Sequence, residues 1–155
     1  MTQFGGPKLV KKTYFKDEAK SKLIKGIEKI ADAVGSTLGA SGKTVILEDD
    51  FGGPHVTKDG VTVANSILLQ DPVENLAVSM MKQAAQNTAS VAGDGTTTSI
   101  VLTKAIIDSY FNLEGDKFSF RDIKSGINKL SSVVVDELTK RALQVDDKML
   151  HDVSI

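Results

Sequence analysis

Four stretches of this chain repeat apolar residues at three- and four-residue steps, a pattern that can be buried only as amphipathic helices packed on one another. In the first, Leu23, Ile27, Ile30, Val34 and Leu38 form the stripe and Ile24 and Ala31 widen it. Asp17 stands ahead of it as a candidate cap, and the helix is expected to close at Gly39. The second opens at Asp71-Pro72-Val73-Glu74, which offers an N-cap, a proline at the first helical position and an acidic residue three after the cap. Its face reads Val73, Leu76, Ala77, Met80, Met81, Ala84 and Val91, interrupted by Thr88, and it stops at Gly93. Both Met80 and Met81 are expected in the core. The third stretch, Ile100 to Phe111, has Val101, Ala105 and Ile106 at helical steps. The fourth starts at the capping box Ser119-Phe120-Arg121-Asp122 and carries Ile123, Ile127, Leu130, Val134 and Leu138 until near Ala142.

Between the first two helices lie the β-prone pieces Thr44-Val45-Ile46-Leu47 and His55-Val56-Thr57, joined by a polar, glycine-rich turn through Asp49 to Pro54; this predicts a hairpin. Met1 to Phe15 has no helical period and reads as an arm or short strand. After Ala142 a further start is possible at Asp146-Asp147, but the sequence ends at Ser154-Ile155 without terminator or polar tail, as if cut. The expected class is mainly α: four substantial helices and one small hairpin.

Composition removes several function classes. Nineteen Lys and Arg against twenty Asp and Glu give a formal charge of -1, so no basic excess draws the chain to nucleic acid or an anionic membrane. With no cysteine there is no disulfide framework and no thiolate metal site. The longest apolar runs fall well short of the roughly 20 residues a membrane span needs. No secretory signal is evident either, so a soluble, cytoplasmic protein is expected.

The residues best suited to chemistry are Gly93-Asp94-Gly95-Thr96-Thr97-Thr98. Two glycines permit close backbone approach, and three hydroxyl residues open a helix whose first N–H groups lack partners. Such a turn can cradle a polyphosphate at the positive end of the helix dipole, with Asp94 beside it to hold a Mg²⁺ ion. The same six residues also read as an ordinary turn and cap. Gly39-Ala40-Ser41-Gly42-Lys43-Thr44 ends like a Walker A loop, but Thr37 stands where its first glycine should be, and the loop follows a helix and precedes a strand. Thr57-Lys58-Asp59-Gly60 sets a cation beside a carboxylate at a turn between the hairpin and the next helical stretch. His55 and His151 have no metal-ligand spacing, and no Ser–His–Asp arrangement is present.

Taken in order, Thr37-Leu38-Gly39, Thr57-Lys58-Asp59-Gly60-Val61 and Ala92-Gly93-Asp94-Gly95-Thr96-Thr97-Thr98, with a hairpin and a helix between them, resemble the start of a group I chaperonin of the GroEL type. The segment Val45 to Gly60, with Phe51-Gly52 and Pro54, is similar to that family's stem loop. The likeness runs from about Phe15 to Ile155. Lys58 favours the bacterial and organellar group, because archaeal and eukaryotic cytosolic chaperonins usually have Asn there.

The resemblance implies the N-terminal half of an equatorial domain over residues 1–142 and the first residues of an intermediate domain over 143–155. It implies ATP and Mg²⁺ as cofactors, with Thr37, Leu38, Gly39 and Ala40 against the phosphates and Lys58 lining the same pocket. Asp94 would coordinate Mg²⁺, while Gly93, Gly95, Thr96, Thr97 and Thr98 would form the loop around the β- and γ-phosphates. Asp59 would be the catalytic carboxylate, near the γ-phosphate or its attacking water. The implied activity is that of an ATP-dependent folding chaperone assembled as two stacked seven-membered rings. Its unfolded clients and co-chaperonin would engage domains beyond this sequence, and the Asp that positions the hydrolytic water would itself lie beyond Ile155. The chain departs from the family at Ala40-Ser41, where Pro-Lys is usual, so some backbone rigidity and one positive charge are missing. The alternative is a short chaperonin-like module that binds or regulates a ring without hydrolysing ATP. A third possibility is an unrelated helical domain with a fortuitous Gly-Asp-Gly-Thr turn.

Overall fold

The computed structural model describes residues 13–48, 52–113 and 118–143, together with Met149. The elements are α1 (Lys16–Gly35), β1 (Val45–Glu48), β2 (Pro54–Thr57), α2 (Gly60–Ser66), α3 (Pro72–Ala92), α4 (Thr96–Asn112) and α5 (Phe120–Arg141). The expected N-terminal arm and the possible start at Asp146-Asp147 lie outside the described residues, apart from residues 13–15, of which Phe15 is extended. By internal contacts the chain divides into two units, Met1–Asn112 and Leu113–Ile155.

The mainly helical class and the hairpin are borne out. In the first unit the core is built from Ile30, Ala31 and Val34 of α1, Val63 and Ala64 of α2, Val78, Met81 and Ala85 of α3, and Ile100 of α4. Strands β1 and β2 pair antiparallel with Val45 opposite Thr57 and Ile46 opposite Val56. Val45 and Leu47 pack against the core, while Ile46 and Val56 face outward, as the two-residue period of a strand requires. The start of α3 also follows its sequence signal. Pro72 sits in the first turn, and Asp71 Oδ1 accepts the N–H groups of Val73, at 2.9 Å, and Glu74, at 3.2 Å.

Several expectations are corrected. Asp17 is not the cap of α1: Phe15 holds that position without a side-chain bond, and Asp17 lies in the first turn, where its charge meets the positive end of the helix. The helix closes at Gly35, four residues early. There the Ser36 and Thr37 hydroxyls donate to the carbonyls of Ala33 and Val34, each at 2.7 Å, competing with the helical ladder. Sequence spacing also missed a helix, α2, which is only seven residues long. In α3 the buried face is Ala77, Val78, Met81 and Ala85, so Met81 is in the core but Met80, 62% exposed, is not. Leu76 and Val91 are likewise exposed.

That face is selected by a close helix crossing. A β-carbon on Gly26 of α1 would overlap the carbonyl oxygen of Glu74 and stand 3.0 Å from the Ala77 Cβ. Around this crossing Lys22 pairs with Asp71, and Lys29 pairs with Glu74 at 2.6 Å.

In the second unit, α5 is capped by Ser119, whose Oγ accepts the Asp122 N–H at 3.2 Å while its hydroxyl donates to Asp122 Oδ2 at 2.6 Å. The Ser119 half of the expected capping box is thus present, and α5 ends at Arg141 with Ala142 as its C-cap. None of its residues is buried.

Two capping carboxylates make the first unit acid-sensitive. The Lys22 ammonium, with the Glu74 and Val73 N–H groups, holds Asp71 below the ordinary carboxylate range; the Thr62 hydroxyl and N–H, with the Val61 N–H, do so for Asp59. Both folded pKa values lie below the unfolded ones, so their contribution is complete above about pH 5 and is lost as pH falls through the folded values. The urea midpoint should therefore hold level from neutral pH to about pH 5 and then decline. In Asp71→Asn, which can still cap α3, the decline should be shallower; an unchanged slope would show that Asp71 does not carry it.

Candidate functional site

The three sequence motifs occupy three connections of the first unit: the α1–β1 loop, the β2–α2 junction and the α3–α4 turn. They meet at Gly60. This first residue of α2 is buried, and a β-carbon there would overlap the Thr97 Oγ1 of α4 and stand 3.2 Å from the Thr37 Oγ1 beyond α1. Two hydroxyls from distant parts of the sequence therefore border one glycine, and only the absence of a side chain lets the α2 and α4 N-termini come so close.

The α3–α4 turn is built on two left-handed glycines. Gly93 caps α3 in the left-handed conformation at φ 77°, giving its N–H to Ala89 O at 2.9 Å, and Gly95 also has positive φ, at 87°. The first hydrogen bond of α4 runs from the Ser99 N–H to Gly95 O at 2.8 Å. Gly95 has no side chain to cap the N–H groups of Thr96, Thr97 and Thr98, so they stand at the positive end of the helix without intrahelical acceptors. Asp94 is exposed, and its Oδ1 accepts the Gly95 N–H at 2.6 Å.

At the β2–α2 junction Asp59 caps α2. Its Oδ2 accepts the Thr62 N–H at 2.9 Å and the Thr62 hydroxyl at 2.6 Å, and its Oδ1 accepts the Val61 N–H at 3.3 Å. These donors favour the anion and hold its pKa below the usual value, so Asp59 stays ionised at neutral pH. Such a carboxylate is a weak proton acceptor but a good hydrogen-bond acceptor for water. Lys58, immediately before it, is exposed.

In the α1–β1 loop the N–H groups of Thr37 and Leu38 are spent on Val34 O and Gly35 O, each at 3.1 Å, and the Lys43 N–H closes the loop on Ser36 O at 2.8 Å. The Thr37 hydroxyl is given to Val34 O, so its oxygen is left as an acceptor only; Gly39 and Ala40 are exposed, and Gly39 O accepts the Gly42 N–H at 2.9 Å. A helix precedes this loop and a strand follows it, which rejects the Walker reading.

Of the expected site residues, Thr37 and Thr97 are brought together at Gly60, with Lys58 and Asp59 adjoining in sequence. Leu38, Gly39 and Ala40 continue from Thr37, while Gly93, Asp94, Gly95, Thr96 and Thr98 surround Thr97 in the turn. Among the described residues no three His, Asp or Glu side chains converge as a metal site. The donor set still fits Mg²⁺, which binds through one or two carboxylates together with phosphate and water oxygens. Sequence reading missed the role of Gly60 and the helix behind it; an aspartate ahead of Gly60-Val61-Thr62-Val63-Ala64 was the available N-cap signal.

Residues 30–154 match the TCP-1/cpn60 chaperonin family. The chain belongs to that family. Its fold is that of the N-terminal part of a chaperonin equatorial domain. Two crystal structures of the chaperonin gp146 from the Pseudomonas aeruginosa bacteriophage EL, both in the presence of ATP-BeFx, are similar to it. Crystal form II superposes with a TM-score of 0.73 at 32% identity, over 84% of this chain and 22% of gp146. Crystal form I gives 0.71 at 30% identity, over 84% of this chain and 23% of gp146. This chaperonin chain thus spans about a fifth of the length of the solved relatives it matches. None of its described helices is long and apolar enough to cross a membrane.

Proposed function

We propose that the chain supplies the phosphate- and Mg²⁺-binding part of the ATP pocket of a cytoplasmic, ATP-dependent folding chaperone that works as a ring of like subunits. The supporting observation is the meeting of Thr37, Gly60 and Thr97, which brings the three loops, with the Thr37 oxygen and the Thr97 hydroxyl, to one place. On this reading Thr96, Thr97 and Thr98 give N–H and hydroxyl donors to the β- and γ-phosphates at the α4 dipole, and Gly39 and Ala40 approach from the other side. Lys58 offsets phosphate charge. Asp94 is the protein ligand of Mg²⁺, and the ion neutralises phosphate charge when bound. Asp59, kept ionised by Thr62 and Val61, orients the attacking water and does not take its proton. Lys58 also assigns the chain to the bacterial and organellar group. Residues 1–142 form the equatorial part and 143–155 the start of the intermediate domain.

Calorimetric titration with Mg·ATP tests this. Binding should be measurable, and Asp94→Ala should weaken it roughly tenfold or more, the value of a charge-assisted contact of about 1.5–3 kcal/mol. Little or no steady hydrolysis is expected from these 155 residues alone. Failure of the parent to bind Mg·ATP would sink the nucleotide reading, and sustained turnover abolished by Asp94→Ala would overturn the expectation of inactivity.

A further inference from the structure

We propose that Lys82 is a positioning residue for this site: from α3 it holds the C-terminal end of α2 and so fixes where α2 presents Lys58, Asp59 and Gly60 to Thr37 and Thr97. The proposal rests on the nucleotide reading above. A helix of seven residues is far below the length at which helices persist alone in water. Its N-terminal bonds, given by Val61 and Thr62 to the Asp59 carboxylate, are local and tie α2 only to its own cap. Val63 and Ala64 are buried in the core and fix which way the helix faces.

The tether at the far end comes from another element. Lys82 Nζ donates to Asn65 O at 2.9 Å and to Ile67 O at 2.7 Å, two carbonyls at the end of α2 that lack helical partners. Among the described residues these are the hydrogen bonds that reach α2 and its C-cap from a different helix or strand. A cation there also meets the negative end of the α2 dipole. Burial lowers the Lys82 pKa, as expected for an ammonium drawn out of water toward backbone acceptors. At the opposite end Gly60 has no clearance from Thr97 Oγ1. Any shift of α2 is therefore felt at once where the three motifs meet.

The test combines hydrogen exchange without nucleotide and Mg·ATP titration on the parent, Lys82→Met and Lys82→Arg. Methionine keeps the apolar stem and removes the donors, whereas arginine keeps donors. In Lys82→Met the amides of residues 60–66 should exchange about tenfold faster or more, with α1 and α3 protection retained. Affinity for Mg·ATP should fall roughly tenfold, and Lys82→Arg should restore much of both. Ile30→Val, a core change outside α2, serves as control and should lower the melting temperature without selectively loosening α2. A Lys82→Met protein that binds Mg·ATP like the parent overturns the proposal, whether or not α2 is looser. If affinity falls only in proportion to global stability, as in Ile30→Val, it is overturned equally. A parent that does not bind Mg·ATP removes the nucleotide reading itself and this proposal with it, an outcome distinct from equal binding by parent and variant.

Discussion

Gly26→Ala should destabilise the first unit by about 2–3 kcal/mol, the upper part of the range for overpacking a close contact. Alanine is the better helix former by roughly 1 kcal/mol, so propensity alone predicts a gain. The opposing factor is geometric: the added methyl would overlap the Glu74 carbonyl oxygen and crowd the Ala77 Cβ at 3.0 Å. A carbonyl within α3 cannot swing aside like a side chain, so the two helices must separate along their shared apolar face. Gly126 of α5 supplies the comparison, because a β-carbon there meets nothing within 4 Å. Gly126→Ala should therefore stabilise by about 0.5–1 kcal/mol. Urea unfolding followed by circular dichroism reads both, and a Gly26→Ala protein as stable as its parent would show that the crossing is looser than described.

Gly60→Ala should weaken Mg·ATP binding by roughly tenfold to a hundredfold, the affinity equivalent of about 1–3 kcal/mol of steric cost at the site. The new methyl would occupy the place of Thr97 Oγ1 and press on Thr37 Oγ1 at 3.2 Å. Either α2 retreats or the Thr97 hydroxyl rotates away, and both disturb the surface formed by the three motifs. Stability and binding can be separated with a second change. Thr97→Ala removes the colliding oxygen, so the double variant should regain much of the lost stability while binding stays weak, because the hydroxyl is itself a proposed phosphate donor. Recovery of binding in the double variant would mean that Thr97 contributes bulk but no donor.

Much of this was legible in the sequence where local chemistry decides the outcome. Asp71-Pro72, Gly93 and Ser119 each mark a helix end through a cap or a conformation that their residue type favours, and each end falls where the signal stands. Other features depend on partners remote in sequence. Helix α2 opens on glycine and includes β-branched Val61, Thr62 and Val63, so propensity argues against it; its caps and the burial of Val63 and Ala64 prevail. The buried face of α3 departs from the sequence stripe because Gly26 draws α1 against Ala77, bringing small alanines inside and turning Leu76 and Met80 outward. For the site, spacing left the Gly93–Thr98 turn open between cap and cradle. The resemblance to chaperonins grouped it with the two earlier motifs, and the packing at Gly60 brings Thr37 and Thr97 together. Lys82 left no motif at all, because its acceptors are backbone carbonyls that any sequence possesses.

The two ion pairs between α1 and α3 have a consequence for which alignment of the helices is allowed. Lys22 and Lys29 lie two turns apart on α1, about 10 Å along its axis, with Gly26 between them. Small apolar residues such as alanine tolerate a neighbouring helix that slips by one turn, about 5.4 Å, because one methyl surface is much like the next. Such a slip would carry both ammonium groups off Asp71 and Glu74 together, and would take Gly26 away from the carbonyl that only a glycine can face. Charge and sterics thus reject the same misalignment from opposite sides. Pairs that add little binding strength at a wet surface can still act as a lock that selects a single register.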